Sequence, residues 1–308
     1  MKNKILKNVL TFTATAAILA GCGNSTAVTS QENSSEDTSV SNSNAQGTSS
    51  ASEDQQSENT KTNIVYAKGV GPYTELFEEA IIPILEKQGY TFTCTELDLN
   101  QADAAISSGD ADVSVEQHLA YMKAYNEQAD GHLVALGRVP TVPASVFSEK
   151  HDSLDEIGDG MVIAVPQDAG NQARAFVMLQ DLGWITLKDG TDYATAAAED
   201  VEENPYNLEF YELQTTYIAT SLSDFDYGVI TGSIVYNAGI DPSTALFNEN
   251  LTDDFWLQVV VNEENQDAEW AKAIVNAYQS EEFLTWIKEN NGPKYSNLWS
   301  VPEYDSES

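Results

Sequence analysis

The chain has 308 residues, with 49 aspartates and glutamates against 14 lysines and arginines, for a formal charge of −35. That balance excludes the clustered basic surface that a nucleic-acid binder needs and favours solubility outside a cell. The two cysteines and three histidines show neither H-E-x-x-H nor C-x-x-C spacing, so neither a disulfide framework nor a metal site is expected.

Residues 1–21 read as an export signal. Lys2, Lys4 and Lys7 form a basic start, and residues 9–19 form an apolar run too short to span a bilayer as a stable helix. Leu19-Ala20-Gly21-Cys22 has the form of a lipobox. Cys22 is therefore expected to carry a thioether-linked diacylglycerol and to anchor the mature chain on the extracytoplasmic face of the cell membrane. Residues 22–62 are Ser, Asn, Thr, Gln and Glu with scarcely an aliphatic side chain, which predicts a disordered tether. Cys94, in a strand-like run with Phe92, Thr93 and Thr95, is predicted to be an inert buried thiol.

From residue 63 the sequence is dense in aliphatic and aromatic residues. A strand over 63–67 leads through a glycine-punctuated turn into a helix, with Thr74 as its expected cap and Pro83 expected to kink or split it. Gly69 and Gly71 could offer backbone amides to an anion, but without the full dinucleotide fingerprint a tight turn beside a pocket is the expected reading. A strand over 90–98, a loop and short helix over 99–108, and a strand over 111–115 follow. This last run passes into Glu116, Gln117 and His118 and then a helical pattern containing Tyr121. In an open α/β sheet, ligands sit outside the carboxyl ends of strands, where these groups fall. Strands over 133–139 and 144–147 flank Pro140 and Pro143, a candidate crossing between two lobes.

Beyond a capped short helix at 153–157, a strand over 161–165 ends in Pro166 to Asn171. The next helix is expected to carry Arg174 in its first turn, where the helix dipole disfavours a cation. An anionic ligand group held by the guanidinium and the helix amides accounts for it; a surface pair with Asp168 or Asp181 is the alternative. Strands over 208–213, 227–230 and 255–261, a polar loop over 215–221, a short helix opening at 231–233 and two closing helices complete an α/β pattern with largely parallel sheets.

Several of these segments resemble the methionine-binding lipoprotein family (MetQ/NlpA), the substrate-binding components of ABC importers. They are Gly71-Pro72-Tyr73, Gln117-His118-Leu119-Ala120-Tyr121, Ser153-Leu154-Asp155-Glu156, Ile163 to Pro166 with Asn171-Gln172-Ala173-Arg174, Glu203-Asn204-Pro205 and Val229-Ile230-Thr231-Gly232. The resemblance implies a two-lobed, periplasmic-binding-protein-like α/β fold with two crossings. Lobe 1 would be 63–142 and 233–304, lobe 2 would be 143–232, and 305–308 a tail. It also implies capture of one small amino-acid-like ligand, delivery to a membrane permease and ATPase, no cofactor, no metal and no catalysis. Arg174 would hold the ligand carboxylate, His118 and Tyr121 would line the pocket, and Asn171 and Thr231 would complete it.

The departures from that family concern the ligand. Glu116 stands where an aromatic residue usually precedes Gln-His, Leu99 where an aromatic packs on the ligand thioether, and Thr231 where an asparagine holds the ligand backbone. Ile218-Ala219-Thr220 replaces a Leu-Pro-Arg stretch. A carboxylate buried without a partner is costly, so Glu116 is expected to face the ligand and meet a positive group, or else to rotate out to water. The ligand expected is methionine, a derivative, or a related amino acid or dipeptide. A surface sensor or interaction protein that keeps the binding fold is the alternative. An enzyme would need a nucleophile elbow or metal set that the sequence does not contain.

Overall fold

The structure, a computed structural model, describes residues 61–304. The expected signal segment, Cys22, the expected tether up to residue 60 and the tail 305–308 lie outside them. In chain order the strands are β1 (Asn63–Lys68), β2 (Thr91–Glu96), β3 (Val113–His118), β4 (Leu133–Arg138), β5 (Ser145–Phe147) and β6 (Val162–Pro166). They continue as β7 (Thr186–Leu187), β8 (Val201–Glu203), β9 (Glu209–Leu213), β10 (Tyr227–Ile230), β11 (Phe247–Asn248) and β12 (Leu257–Asn262). The helices are α1 (Pro72–Leu76), α2 (Ile82–Glu86), α3 (Leu99–Ser108), α4 (Leu119–Ala129) and α5 (Ala169–Asp181), then α6 (Thr215–Thr220), α7 (Gly232–Asn237), α8 (Glu269–Gln279) and α9 (Glu281–Asn290).

Two five-stranded sheets carry the two lobes. The first has the order β2-β1-β3-β12-β4, the second β11-β5-β10-β6-β9. Each holds a parallel trio, β2-β1-β3 and β10-β6-β9. The pairings of β12 in the first sheet, and of β5 with β10 and β11 in the second, are antiparallel, so the sheets are mixed rather than largely parallel. A short β7-β8 ladder stands apart. The first sheet buries Ile64, Val113, Val259 and Val261 against Phe77, Trp270 and Tyr278. The second buries Ile163, Val165 and Val229 against Phe176 and Trp184.

Pro83 does shape its helix. Phe77–Ile81 winds as a π turn between α1 and α2, opening the helix just ahead of the residue that lacks an N–H. Residues 99–108 form one full helix, fixed by a capping box between Asp98 and Gln101 and ended by Gly109 at φ +82°. Strand β3 runs three residues beyond its expected end, because Leu257 and Gln258 of β12 continue the ladder to His118 and Gln117. Residues 215–220, expected as a loop, are helical: Ile218 is fully buried over Gly228, where a Cβ would come within 2.8 Å of it. Cys94 is exposed, not buried, since β2 is the edge strand of its sheet.

The chain first crosses between sheets from Val139 to Ala144, around Pro140 and Pro143. Thr141 exchanges two backbone hydrogen bonds with Ser300 there, each 2.9 Å. The return comes later than the expected boundary at 232/233. Phe247 and Asn248 still pair with Val146 and Ser145, so the chain rejoins the first sheet only between Asn248 and Leu257.

Candidate functional site

A cleft of about 740 Å³ opens between the lobes, within the size range of small-molecule sites. Its walls are the segments that follow strand ends: Lys68–Tyr73 after β1, Glu96–Gln101 after β2, Glu116 and Tyr121 at the end of β3, Gln167–Asn171 after β6, Gln214–Thr216 after β9, and Thr231–Asn237 after β10. All six lie at carboxyl ends, where strands deliver side chains and helix starts together. The deepest part adds His118, Arg174, Gly232 and Leu257. A second cavity, about 350 Å³, lies beside Val142, Pro143 and Ser145; Glu249 lines it, and none of these convergent groups does.

A hydrogen-bond chain links the lobes across the cleft floor. The Tyr121 N–H donates to His118 Nδ1 at 3.1 Å, which places the imidazole proton on Nε2. That nitrogen lies 3.2 Å from Asn171 Oδ1, which also accepts from Arg174 Nη1 at 3.3 Å. Asn171 Nδ2 donates to Asp168 Oδ1 at 2.9 Å, and the same oxygen caps α5 by accepting the Asn171 N–H at 3.0 Å. Each contact fixes the orientation of the next. Burial, with the Arg174 charge adding to it, pushes the His118 imidazole down to about 3, so the ring stays neutral at physiological pH. Phe255, on the return crossing, meets the His118 ring edge to face at 5.8 Å. The lobes also meet closely where Gly170 packs on the Tyr121 backbone: a Cβ there would fall 2.9 Å from Tyr121 Cα.

Arg174 lies in the second turn of α5, not the first, and is 3% exposed. Its partner is neither Asp168 nor Asp181. Nε donates to Glu249 Oε2 at 2.9 Å and Nη2 donates to Glu249 Oε1, a bidentate pair between two buried side chains. Burial opposes the guanidinium charge, but Glu249 more than restores it, and the group holds its proton above the ordinary arginine value. Glu249 Oε1 also accepts the Ala144 N–H at 2.7 Å, tying the pair to the first crossing.

Glu116 is held within the cleft by neutral groups of the chain. Oε1 accepts the Gly69 N–H at 3.1 Å and the Thr74 hydroxyl. The Gly69 amide thus meets the chain's own carboxylate. Thr74 is not the cap of its helix but a buried donor inside it. Burial raises the proton affinity of Glu116, and these two donors and the Lys68 charge only partly oppose that.

Of the residues named from sequence, His118, Asn171, Arg174, Glu116, Tyr121 and Thr231 all line the inner cleft, as does Leu99. The Tyr121 hydroxyl donates to Asn100 Oδ1 at 3.0 Å, and Thr231 is buried at the start of α7. Sequence reasoning missed Glu249 and Tyr73. Tyr73 lines the same pocket and hydrogen-bonds Val142 through its hydroxyl. A buried arginine demands a counterion, but no local pattern points 75 residues ahead to Glu249. Among the described residues no group of His, Cys, Asp and Glu is arranged to hold a metal, and no helix is long and apolar enough to cross a membrane.

Comparison with known proteins agrees with this architecture. A family model described as NlpA lipoprotein matches residues 64–299. The D-methionine-binding lipoprotein MetQ of Escherichia coli is 36% identical over 181 residues, covering 58% of this chain and 66% of its own length. A nutrient-binding protein from Burkholderia cenocepacia, solved bound to methionine, aligns with TM-score 0.70 and 31% identity over 78% of this chain and all of its own. A lipoprotein from Ruminococcus gnavus aligns with TM-score 0.71 and 33% identity over 79% of this chain and all of its own.

Proposed function

Since this chain belongs to the NlpA lipoprotein family, we propose that it captures a small amino-acid-like ligand between its lobes and hands it to an ABC permease and ATPase. It would act on the extracytoplasmic face of the membrane, tethered through lipid on Cys22, and it performs no catalysis. The observation that carries this reading is the convergence of Arg174, Asn171, His118, Tyr121, Glu116 and Thr231 on one inter-lobe cleft. The Escherichia coli and Burkholderia relatives are described as binding methionine, which supports an amino acid or a close derivative as the ligand class.

The division of labour follows from the donors and acceptors present. Arg174 keeps N–H groups beyond those taken by Glu249 and Asn171, and these suit a ligand carboxylate. The neutral His118 and the Tyr121 hydroxyl supply orientation without adding charge. Closure of the lobes excludes water and strengthens each polar contact. Thermal unfolding of the full-length protein against the amino acids, methionine derivatives and short peptides tests the reading. A true ligand at a hundred times its dissociation constant adds about 2.7 kcal/mol of apparent stability. A panel in which nothing raises the melting temperature would refute it.

A further inference from the structure

Resting on the reading of the cleft as the site of capture, we infer that its ligand carries a net positive charge, with an ammonium or guanidinium group seated against Glu116. The inner cation is already matched: Arg174 faces Glu249 through two parallel hydrogen bonds, and both side chains are withdrawn from water. A ligand carboxylate that reaches Arg174 therefore meets a neutralised pair, not a bare charge.

Glu116 is the opposite case. Its Oε1 is held by two uncharged donors, while no described residue donates a hydrogen bond to Oε2. The nearest basic group on that wall, Lys68, has its ammonium 2.7 Å from Glu78. Gly69 gives way to this carboxylate: a Cβ there would fall 1.8 Å from Oε2. The backbone is shaped to admit a charge that the protein itself compensates only in part. An apolar side chain would cost less to bury in the apo protein, and an incoming cation recovers that cost.

The mouth of the cleft has the same sign. Glu96, Asp98 and Asp168 line it against Lys68 alone. A low-dielectric cleft walled by one sign of charge concentrates ligands of the other. A neutral zwitterion such as methionine brings one charge of each sign and leaves this balance unmatched. An amino acid with a second cationic group matches it, with its α-carboxylate towards Arg174 and its side-chain cation on Glu116.

The test is isothermal titration of the full-length protein with L-lysine, L-arginine, L-methionine and L-glutamate at pH 7.5, repeated on Glu116→Gln and Glu116→Asp. We expect lysine or arginine to bind at least roughly ten-fold more tightly than methionine. Glu116→Gln should lose that preference by a similar factor while melting no lower than the parent, and Glu116→Asp, which keeps the charge, should retain it. Methionine binding as tightly as the basic amino acids, or an unchanged preference in a folded Glu116→Gln, overturns the inference and leaves the capture reading standing. If none of the four binds, and the wider panel of amino acids and peptides also fails, the capture reading falls and the inference with it.

Discussion

Asp103 offers a sharp test of how this fold handles charge. It projects from α3 into the interior, is fully buried, and accepts a hydrogen bond from Gln117 Nε2 through Oδ1. Asp103 Oδ2 and Gln117 Oε1 are both buried with no hydrogen-bond partner. Two orphaned acceptors in one side-chain pair are what an ionised carboxylate leaves behind; a proton on Oδ2 supplies the missing donor. Burial pushes this carboxyl up from 3.8 to about 7, with the Gln117 hydrogen bond opposing. The folded chain thus holds the proton more tightly than the unfolded chain. Its contribution to stability is fully present below about pH 4 and is lost as the pH rises through about 7. A rise of roughly three units corresponds to about 4 kcal/mol. Asp103→Asn keeps the acceptor for Gln117, adds an N–H donor and removes the charge. Urea unfolding of both proteins at pH 4.5, 6 and 8 should show little difference at the lowest pH and a more stable variant at the highest, by as much as about 4 kcal/mol. A difference that is flat with pH, or an asparagine variant less stable throughout, would refute the protonated pairing.

Two other perturbations read the structure directly. Arg174→Ala leaves Glu249 buried and uncompensated, and should cost about 3–5 kcal/mol in urea unfolding; replacing the pair together by methionine and leucine should recover most of that loss, and a single variant of parental stability would show that the two side chains do not meet. Cys94, exposed on edge strand β2, should react with a thiol reagent in the folded protein, at a rate that denaturant raises only modestly; a thiol that reacts only on unfolding would place it inside.

Much of the architecture is legible in the chain because it depends on local chemistry. The alternation of strand and helix, the crossing marked by Pro140 and Pro143, and the polar junction from Glu116 to Tyr121 all follow from short patterns, and all six proposed cleft residues line one pocket. What escapes local reading is set by strand order and by distant segments. Cys94 sits among strand-like neighbours, and only the position of β2 at the sheet edge exposes it. Residues 215–220 have no helical periodicity of their own, and the helix is fixed by Ile218 packing over Gly228. Phe247 and Asn248 remain in the second sheet because β5 offers them a free edge, a pairing that local pattern does not encode.

The same distinction separates three carboxylates withdrawn from the surface. Glu249 is answered by Arg174, 75 residues away. Asp103 is answered by an amide from the adjacent strand of its own lobe and, on the argument above, by a proton. Glu116 lines the cleft with two neutral donors on Oε1, and no described residue donates to its Oε2. In the first two the carboxylate is answered within the protein itself. An incomplete one costs the empty protein free energy that a bound cation returns, and that difference is where a binding protein gains selectivity. Its specificity is then set less by Arg174, already paired with Glu249, than by Glu116.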